Sequence, residues 1–232
     1  MKIKKDDAGY AMSQAKKLAG EFGKFYTPES VCRFLAKLAR VENVETVYDP
    51  TCGTGSLLLY AYDEYGNVKL YGQEIVPESA ELARENMTAN GVERFEIAEG
   101  DTLAKPAFDI QFDVILGNPP FSVKWEPFED ERFKPCPAPR GKADWAFIQH
   151  SFHFLKPTGK MAFVVSPGIL YRGGAEATIR DWFVKNGHIE SVIQLPSNLF
   201  EATSISTCAV VFSKRKTENV EVKKEVVSDL LF

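Results

Sequence analysis

Several signals that would assign a class at once are missing from this 232-residue chain. Cysteine is scarce: Cys32, Cys52, Cys136 and Cys208 stand far apart and form no Cys-x-x-Cys pair. That excludes a disulfide scaffold and a zinc ribbon, and it suits free thiols in a reducing, cytoplasmic setting. No apolar run is long enough to span a bilayer, and the Met1–Asp7 segment is charged, so neither a membrane segment nor a secretory leader is expected. His150 and His153 share an expected helix, but no acidic or cysteine ligand stands at a usual spacing, so no metal site is expected. A Gly-Lys-Ser/Thr phosphate loop, a Gly-x-Ser-x-Gly nucleophile turn, repeats and low-complexity tracts are all absent.

Positive charge is lacking too. The formal net charge is −4, and the basic residues fall in dispersed groups: Lys2, Lys4 and Lys5; Lys16 and Lys17; Lys214, Arg215 and Lys216. These read as solvated faces rather than a phosphate track. A nucleic-acid substrate would therefore need another chain to do much of the holding. What the chain does have is a core, with 44% apolar and 12% aromatic residues, enough for one large α/β domain.

Helical and strand periods alternate from about residue 10 to residue 213. Helices are expected over 28–40, 56–65, 77–90, 143–155 and 174–186, and strands over 46–49, 68–72, 94–98, 112–116, 160–165, 189–195 and 207–213. A turn is expected at Pro157-Thr158-Gly159. Residues 122–141 carry Pro127, Pro135, Pro137 and Pro139 among mixed charges and read as a long, mobile loop, a candidate lid. The pattern implies a doubly wound, mostly parallel seven-stranded sheet whose last strand is antiparallel. The expected organisation is an N-terminal helical segment (1–22), a main domain (23–214) and a charged tail (215–232). Ligands of such sheets bind beyond the carboxyl ends of the strands at the topological switch point.

The motifs fall there. Asp49-Pro50-Thr51-Cys52-Gly53-Thr54-Gly55 joins a strand to a helix that begins at Ser56, but Leu58 stands where a dinucleotide fingerprint needs its third glycine. Asp49, Glu74 and Asp101 end successive strands and converge on one crevice. At an effective dielectric of about 20, like charges about 4 Å apart repel by roughly 4 kcal/mol, which disfavours a pyrophosphate. A ligand with a cationic centre, ribose hydroxyls and an exocyclic amine suits the trio, and S-adenosylmethionine has all three. Glu74 is expected on the ribose, Asp101 near the adenine amine and Asp49 near the methionine ammonium. Gly53 and Gly55 would present loop amides, with Thr51, Thr54, Ser56, Ile75 and Thr102 against the same ligand.

The fourth strand ends in Asn118-Pro119-Pro120-Phe121. Two prolines fix the turn and supply no backbone donors, so the Asn118 side chain and the Pro119 carbonyl project as acceptors. Two acceptors on one aromatic amine favour its pyramidal, nucleophilic form, and Phe121 offers the ring a stacking face. The bland alternative is a proline turn after a strand.

With these motifs the chain resembles the Asn-Pro-Pro-Phe/Tyr group of S-adenosylmethionine-dependent amino-methyltransferases. It resembles most the modification subunit of type I restriction-modification systems, over roughly residues 20–214. The likeness rests on Gly23-Lys24-Phe25-Tyr26-Thr27-Pro28, the Asp49–Gly55 loop, Tyr71-Gly72-Gln73-Glu74, Gly100-Asp101-Thr102-Leu103 and Asn118–Phe121. It continues in Pro167–Gly174 and Leu195–Phe200. The resemblance implies methylation of adenine N6 in DNA, with Asn118, Pro119, Pro120 and Phe121 catalytic. It implies that Lys24, Phe25, Tyr26, Thr27 and Pro28 close over the methionine part of the cofactor, and that Asn118 touches the cofactor as well. Phe200 matches a position that packs on a flipped base opposite Phe121, although by its sequence alone it is equally a core aromatic. A separate specificity subunit and a restriction subunit are the implied partners. Family members carry a sizeable helical region before the Phe-Tyr-Thr-Pro segment, whereas 22 residues precede Gly23 here and no stretch is left for target recognition, so specificity is expected from a partner. Methylation of RNA or protein glutamine, and a non-catalytic S-adenosylmethionine-binding subunit, are the alternatives.

Overall fold

Tyr48 and its neighbour Val47 point into different cores, and that alternation organises the fold. In the computed structural model, which describes residues 27–197, 199–200, 206–217 and 221–223, eight strands form one sheet. They are β1 (Thr46–Asp49), β2 (Lys69–Glu74), β3 (Phe95–Glu99), β4 (Phe112–Gly117), β5 (Leu155–Val165), β6 (Ile189–Gln194), β7 (Cys208–Ser213) and β8 (Glu221–Lys223), ordered β3-β2-β1-β4-β5-β7-β6-β8. Strands β1 to β5 pair in parallel, and β7 runs antiparallel between β5 and β6. The seven expected strands are all present. The short β8, parallel to β6, lies within the stretch read as a charged tail and adds an eighth. The expected segment 1–22 and residues Lys24, Phe25 and Tyr26 lie outside the described residues.

Among the described residues, five α-helices cover the sheet: α1 (Glu29–Leu38), α2 (Ser56–Tyr65), α3 (Pro77–Ala89), α4 (Asp144–His153) and α5 (Ala175–Lys185). Val47, Val114, Leu116, Ala162 and Val164 face one core with Val31 and Leu35 of α1, Leu58 of α2 and Met87 of α3. Tyr48, Ile115, Met161, Phe163 and Val165 face the other with Trp145 and Ile148 of α4 and Phe183 of α5. Strands buried on both faces read as continuous apolar runs, as β4 and β5 do. Each fully buried leucine or isoleucine contributes roughly 1.5–3 kcal/mol.

One expected boundary shifts. The turn expected at Pro157-Thr158-Gly159 is part of β5, which begins at Leu155 opposite Phe112 and changes register before Lys160 meets Val114. A side chain at 159 would come within 2.8 Å of the Asp113 carbonyl, so glycine permits the close approach.

Because β1 connects outward to β2 and β3 while β4 connects outward to β5, the switch point lies between β1 and β4. Their carboxyl ends carry Asp49 and Asn118. The opposite ends are fastened by Asp113. Its Oδ2 accepts the Glu45 amide (3.2 Å), the Thr46 amide (3.0 Å) and the Thr46 hydroxyl (2.8 Å), and both its oxygens accept from Lys156 Nζ at 2.9 Å. Burial would raise this carboxyl's pKa, but Lys156, Thr46 and the Glu45 amide together hold it below the usual aspartate value. A depressed folded-state pKa contributes stability above the unfolded value and loses it as pH falls through the folded one. Replacing Asp113 by alanine should lower the unfolding free energy by about 2–3 kcal/mol at pH 7. In urea titrations that deficit should shrink at acid pH, and an unchanged difference between pH 7 and pH 3 would contradict the role.

Candidate active site

The loop after β1 is built on a turn in which the Thr51 amide donates to Asp49 Oδ1 (2.9 Å) and the Gly55 amide to the Cys52 carbonyl (2.8 Å). Two partners from neighbouring elements hold it. The Cys52 amide donates to the Gln73 carbonyl (3.0 Å), and Asn86 Nδ2 on α3 donates to the Thr54 carbonyl (2.9 Å). Gly55 sits at φ +84°, which favours glycine, and a Cβ there would lie 2.6 Å from the flexible tip of Met87. Ser56 then opens α2.

Glu74 links this loop to the next. Its Oε2 accepts the Gly53 amide and its Oε1 the Val76 amide, each at 2.9 Å. Asp101 closes the third turn by accepting the Leu103 amide (2.9 Å) and the Ala104 amide (3.3 Å) on Oδ1. Between these turns lies a cavity of about 360 Å³, within the range of small-ligand sites. Thr51, Gly53, Glu74, Ile75, Asp101, Thr102, Asn118 and Pro120 line it, all of them expected from the sequence. Ile75 is 62% exposed and presents an apolar side chain to the cavity.

The remaining expected residues stand behind that wall or beyond it. Asp49 is 1% exposed and does not line the cavity. Burial first, and then the Glu74 charge, raise its pKa to about 7 against the lowering effect of the Thr51 amide. Thr27 accepts Asn118 Nδ2 on its hydroxyl at 2.9 Å, which commits the amide nitrogen and leaves Oδ1 as the acceptor. Pro28 caps the start of α1. Pro119 is buried, and Phe121 is half-buried against the core shared by α1, α2 and α3. Phe200 lies in that same core, 4% exposed.

The sequence reading missed several contributors. Val123, Lys124 and Trp125 line the cavity together with Ala143 and Phe147 of the helix region that follows. Asp144 Oδ2 accepts the Ser122 amide (3.1 Å), pinning the residue after the tetrapeptide at φ +55°. The expected lid, 122–141, has an interior of its own. The Trp125 ring lies 5.0 Å from Phe133, Trp125 Nε1 donates to the Pro139 carbonyl (3.2 Å), and Gln149 Nε2 donates to the carbonyls of Lys134 (2.8 Å) and Cys136 (2.9 Å). A proline-rich stretch between regular elements gave no periodic signal for this packing. His150 and His153 form no metal cluster among the described residues. His150 is wholly buried, and desolvation, then the Arg132 charge, lower its pKa to about 3.

Comparison with known proteins yields one family: N-6 DNA Methylase matches residues 9–229. The methylase subunit of the type I restriction enzyme MpnII from Mycoplasma pneumoniae is 38% identical over 84% of this chain and 40% of its own length. The methylase subunit of the MjaVII enzyme from Methanocaldococcus jannaschii is 33% identical over 84% of this chain and 37% of its own length. The solved methyltransferase subunit of the type I restriction-modification system from Streptococcus thermophilus is 36% identical. It superposes with a TM-score of 0.82 over 89% of this chain and 51% of that one. The chain thus spans about half or less of the length of these relatives.

The glycine loop generates a graded expectation. Gly53, at φ +54° with open space around it, should accept alanine at a cost of about 1–2 kcal/mol. Gly55→Ala must also displace the Met87 tip and should cost up to about 1 kcal/mol more. Chemical denaturation of the two variants checks the order, and equal stability would contradict the packing.

Proposed function

The chain belongs to the N-6 DNA methylase family, and from that premise we propose that it transfers a methyl group from S-adenosylmethionine to the N6 amine of an adenine in DNA. The observation that carries this reading is Asn118, fixed by Thr27 on the wall of the cavity that Glu74 and Asp101 also line. The wall's chemistry fits the cofactor. Two carboxylates suit ribose hydroxyls and an exocyclic amine, exposed Ile75 suits the face of a ring, and the amides of the Asp49–Gly55 loop suit an amino-acid end. The buried Asp49 acts through the loop, as a negative charge behind the methionine ammonium.

When bound, the cofactor supplies a methyl group on a cationic sulfur. The protein's part is to make a poor nucleophile competent. Asn118 Oδ1 and the Pro119 carbonyl accept the two N–H bonds of the adenine amine, drawing its lone pair out of conjugation, and Phe121 stacks on the base. Extruding that base costs a few kcal/mol, which stacking worth about 1–3 kcal/mol partly offsets. Phe200 backs Phe121 through their common core, and a direct stacking role for it would need its face uncovered. Recognition of a DNA sequence is assigned to a separate specificity subunit, with a restriction subunit as a further partner. A net charge of −4 agrees with DNA being held elsewhere.

The direct test is radiolabelled methyl transfer to unmethylated DNA, RNA and protein glutamine, using this chain alone and with a specificity subunit. Label in N6-methyladenine supports the reading, and label only in RNA or protein overturns it. Asn118→Ala should reduce transfer by at least about 100-fold while the dissociation constant for S-adenosylmethionine stays within a few-fold. Glu74→Ala should instead weaken cofactor binding by about 10- to 100-fold. Calorimetry separates the two, and equal loss of affinity in both would refute the assigned roles.

A pH dependence follows from Asp49. Its ionised fraction grows as pH rises through about 7, and a cationic ligand prefers the ionised form. Cofactor affinity should therefore improve between pH 6 and pH 8 by up to about ten-fold. Asp49→Asn should flatten that profile, and a wild-type profile already flat would remove Asp49 from the binding scheme.

A further inference from the structure

Asp101, Thr102 and Leu103 form one side of the cavity, and the backbone behind them is held in part by Arg132 in the 122–141 loop. Arg132 is 6% exposed, and each of its five N–H donors is used. Nη2 donates to the Leu103 carbonyl (2.8 Å) and Nη1 to the Thr102 carbonyl (3.2 Å). Nε and Nη2 grip Asp130 in bidentate fashion, at 2.9 Å to Oδ1 and 2.8 Å to Oδ2. The fifth donor, again on Nη1, meets His150 Nδ1 at 3.1 Å. Since guanidinium only donates, His150 Nδ1 accepts and its Nε2–H faces the Thr102 hydroxyl (3.1 Å) and the Tyr48 hydroxyl (3.3 Å). Tyr48 and Thr102 close the network with a contact of 2.9 Å between their hydroxyls.

The Asp130 pair lies within the loop itself and shapes it without fastening it to anything outside. Spending two further donors on adjacent carbonyls of the cavity wall ties the loop to that wall. The Leu103 residue is the junction: its amide donates to Asp101 Oδ1, and its carbonyl accepts from Arg132. The same loop brings Val123, Lys124 and Trp125 to the cavity, directly after the Asn118–Phe121 turn.

We propose that Arg132 is a positioning residue for the cofactor site: through the Thr102 and Leu103 carbonyls it sets how the Asp101 carboxylate faces the cavity, and so couples the 122–141 loop to cofactor binding. His150 serves as the neutral acceptor that fixes the plane of the guanidinium. The inference rests on reading Asp101 as a cofactor contact. Coupling of this kind is reciprocal, so whatever the loop does for cofactor affinity the cofactor does for loop order.

The test uses the full chain with Arg132→Met, Arg132→Lys, Asp130→Asn and, as a destabilised control on α5 outside the cavity lining, Ile179→Val. S-adenosylmethionine affinity is measured by calorimetry, and amide hydrogen exchange is followed without ligand. Arg132→Met should raise the dissociation constant about ten-fold and speed exchange of the Leu103 and Ala104 amides. Arg132→Lys should recover part of both, since an ammonium reaches one carbonyl but not the whole set. Ile179→Val should lose stability and keep affinity. Unchanged affinity and unchanged exchange in Arg132→Met would overturn the proposal; should that variant not fold, Asp130→Asn decides by the same two readouts. If wild-type protein takes up no cofactor, the functional reading fails separately, and the exchange at residues 103 and 104 still decides whether Arg132 holds the wall.

Discussion

The carboxylate of Glu74 is the interaction on which the pocket depends. By taking the amide of Gly53 on one oxygen and that of Val76 on the other, it turns the loops after β1 and β2 into a single wall. A buried carboxylate is tolerable only with such donors, and Glu74 is 8% exposed. Asp49 behind it has one amide, and burial first, with the Glu74 charge adding to it, raises its pKa to about 7. Carboxylates so placed favour a cationic ligand over an anionic one in the cavity between the turns.

Nearly all of the fold was legible because parallel strands buried on both faces leave uninterrupted apolar runs, and because Gly, Pro and Asn mark the breaks between them. The seven strands and five helices agree with expectation to within a few residues, and the switch point follows from their order. Two features escaped. The strand at 155–159 is hidden by Pro157 and Gly159, which signal a turn in any local reading; pairing with Phe112 overrides them. The strand β8 is a three-residue edge in a charged stretch, too short to carry a period.

The site was legible where chemistry and backbone coincide in one short motif: the glycine loop, Glu74, Asp101 and the Asn118 turn. It was illegible where support comes from residues distant in sequence. Nothing local marks Asn86 as the clamp on the Thr54 carbonyl, Asp144 as the acceptor for Ser122, or Arg132 as the brace of the Asp101 wall. Each is an ordinary polar residue whose role exists only once α3, α4 and the 122–141 loop have packed. Asp49 shows the converse. It stands at the end of its strand beside the other carboxylates, but its burial keeps it behind the cavity wall.

An acidic crevice is an awkward destination for a polyanion, and this bears on how the proposed substrate reaches Asn118. Among the described residues, Lys124 is the one basic side chain lining the cavity, against Glu74 and Asp101. A field that draws in a cation pushes phosphates away, so a duplex cannot settle into the crevice itself. A single extruded base can enter, because it is neutral and its phosphate stays outside within reach of other surfaces. Base extrusion then does more than expose N6: it separates the uncharged reactive group from the charge that the pocket repels. On the proposed reading, the same carboxylates favour a cationic methyl donor and keep phosphates out of the crevice, while the Asn118 turn receives the neutral base.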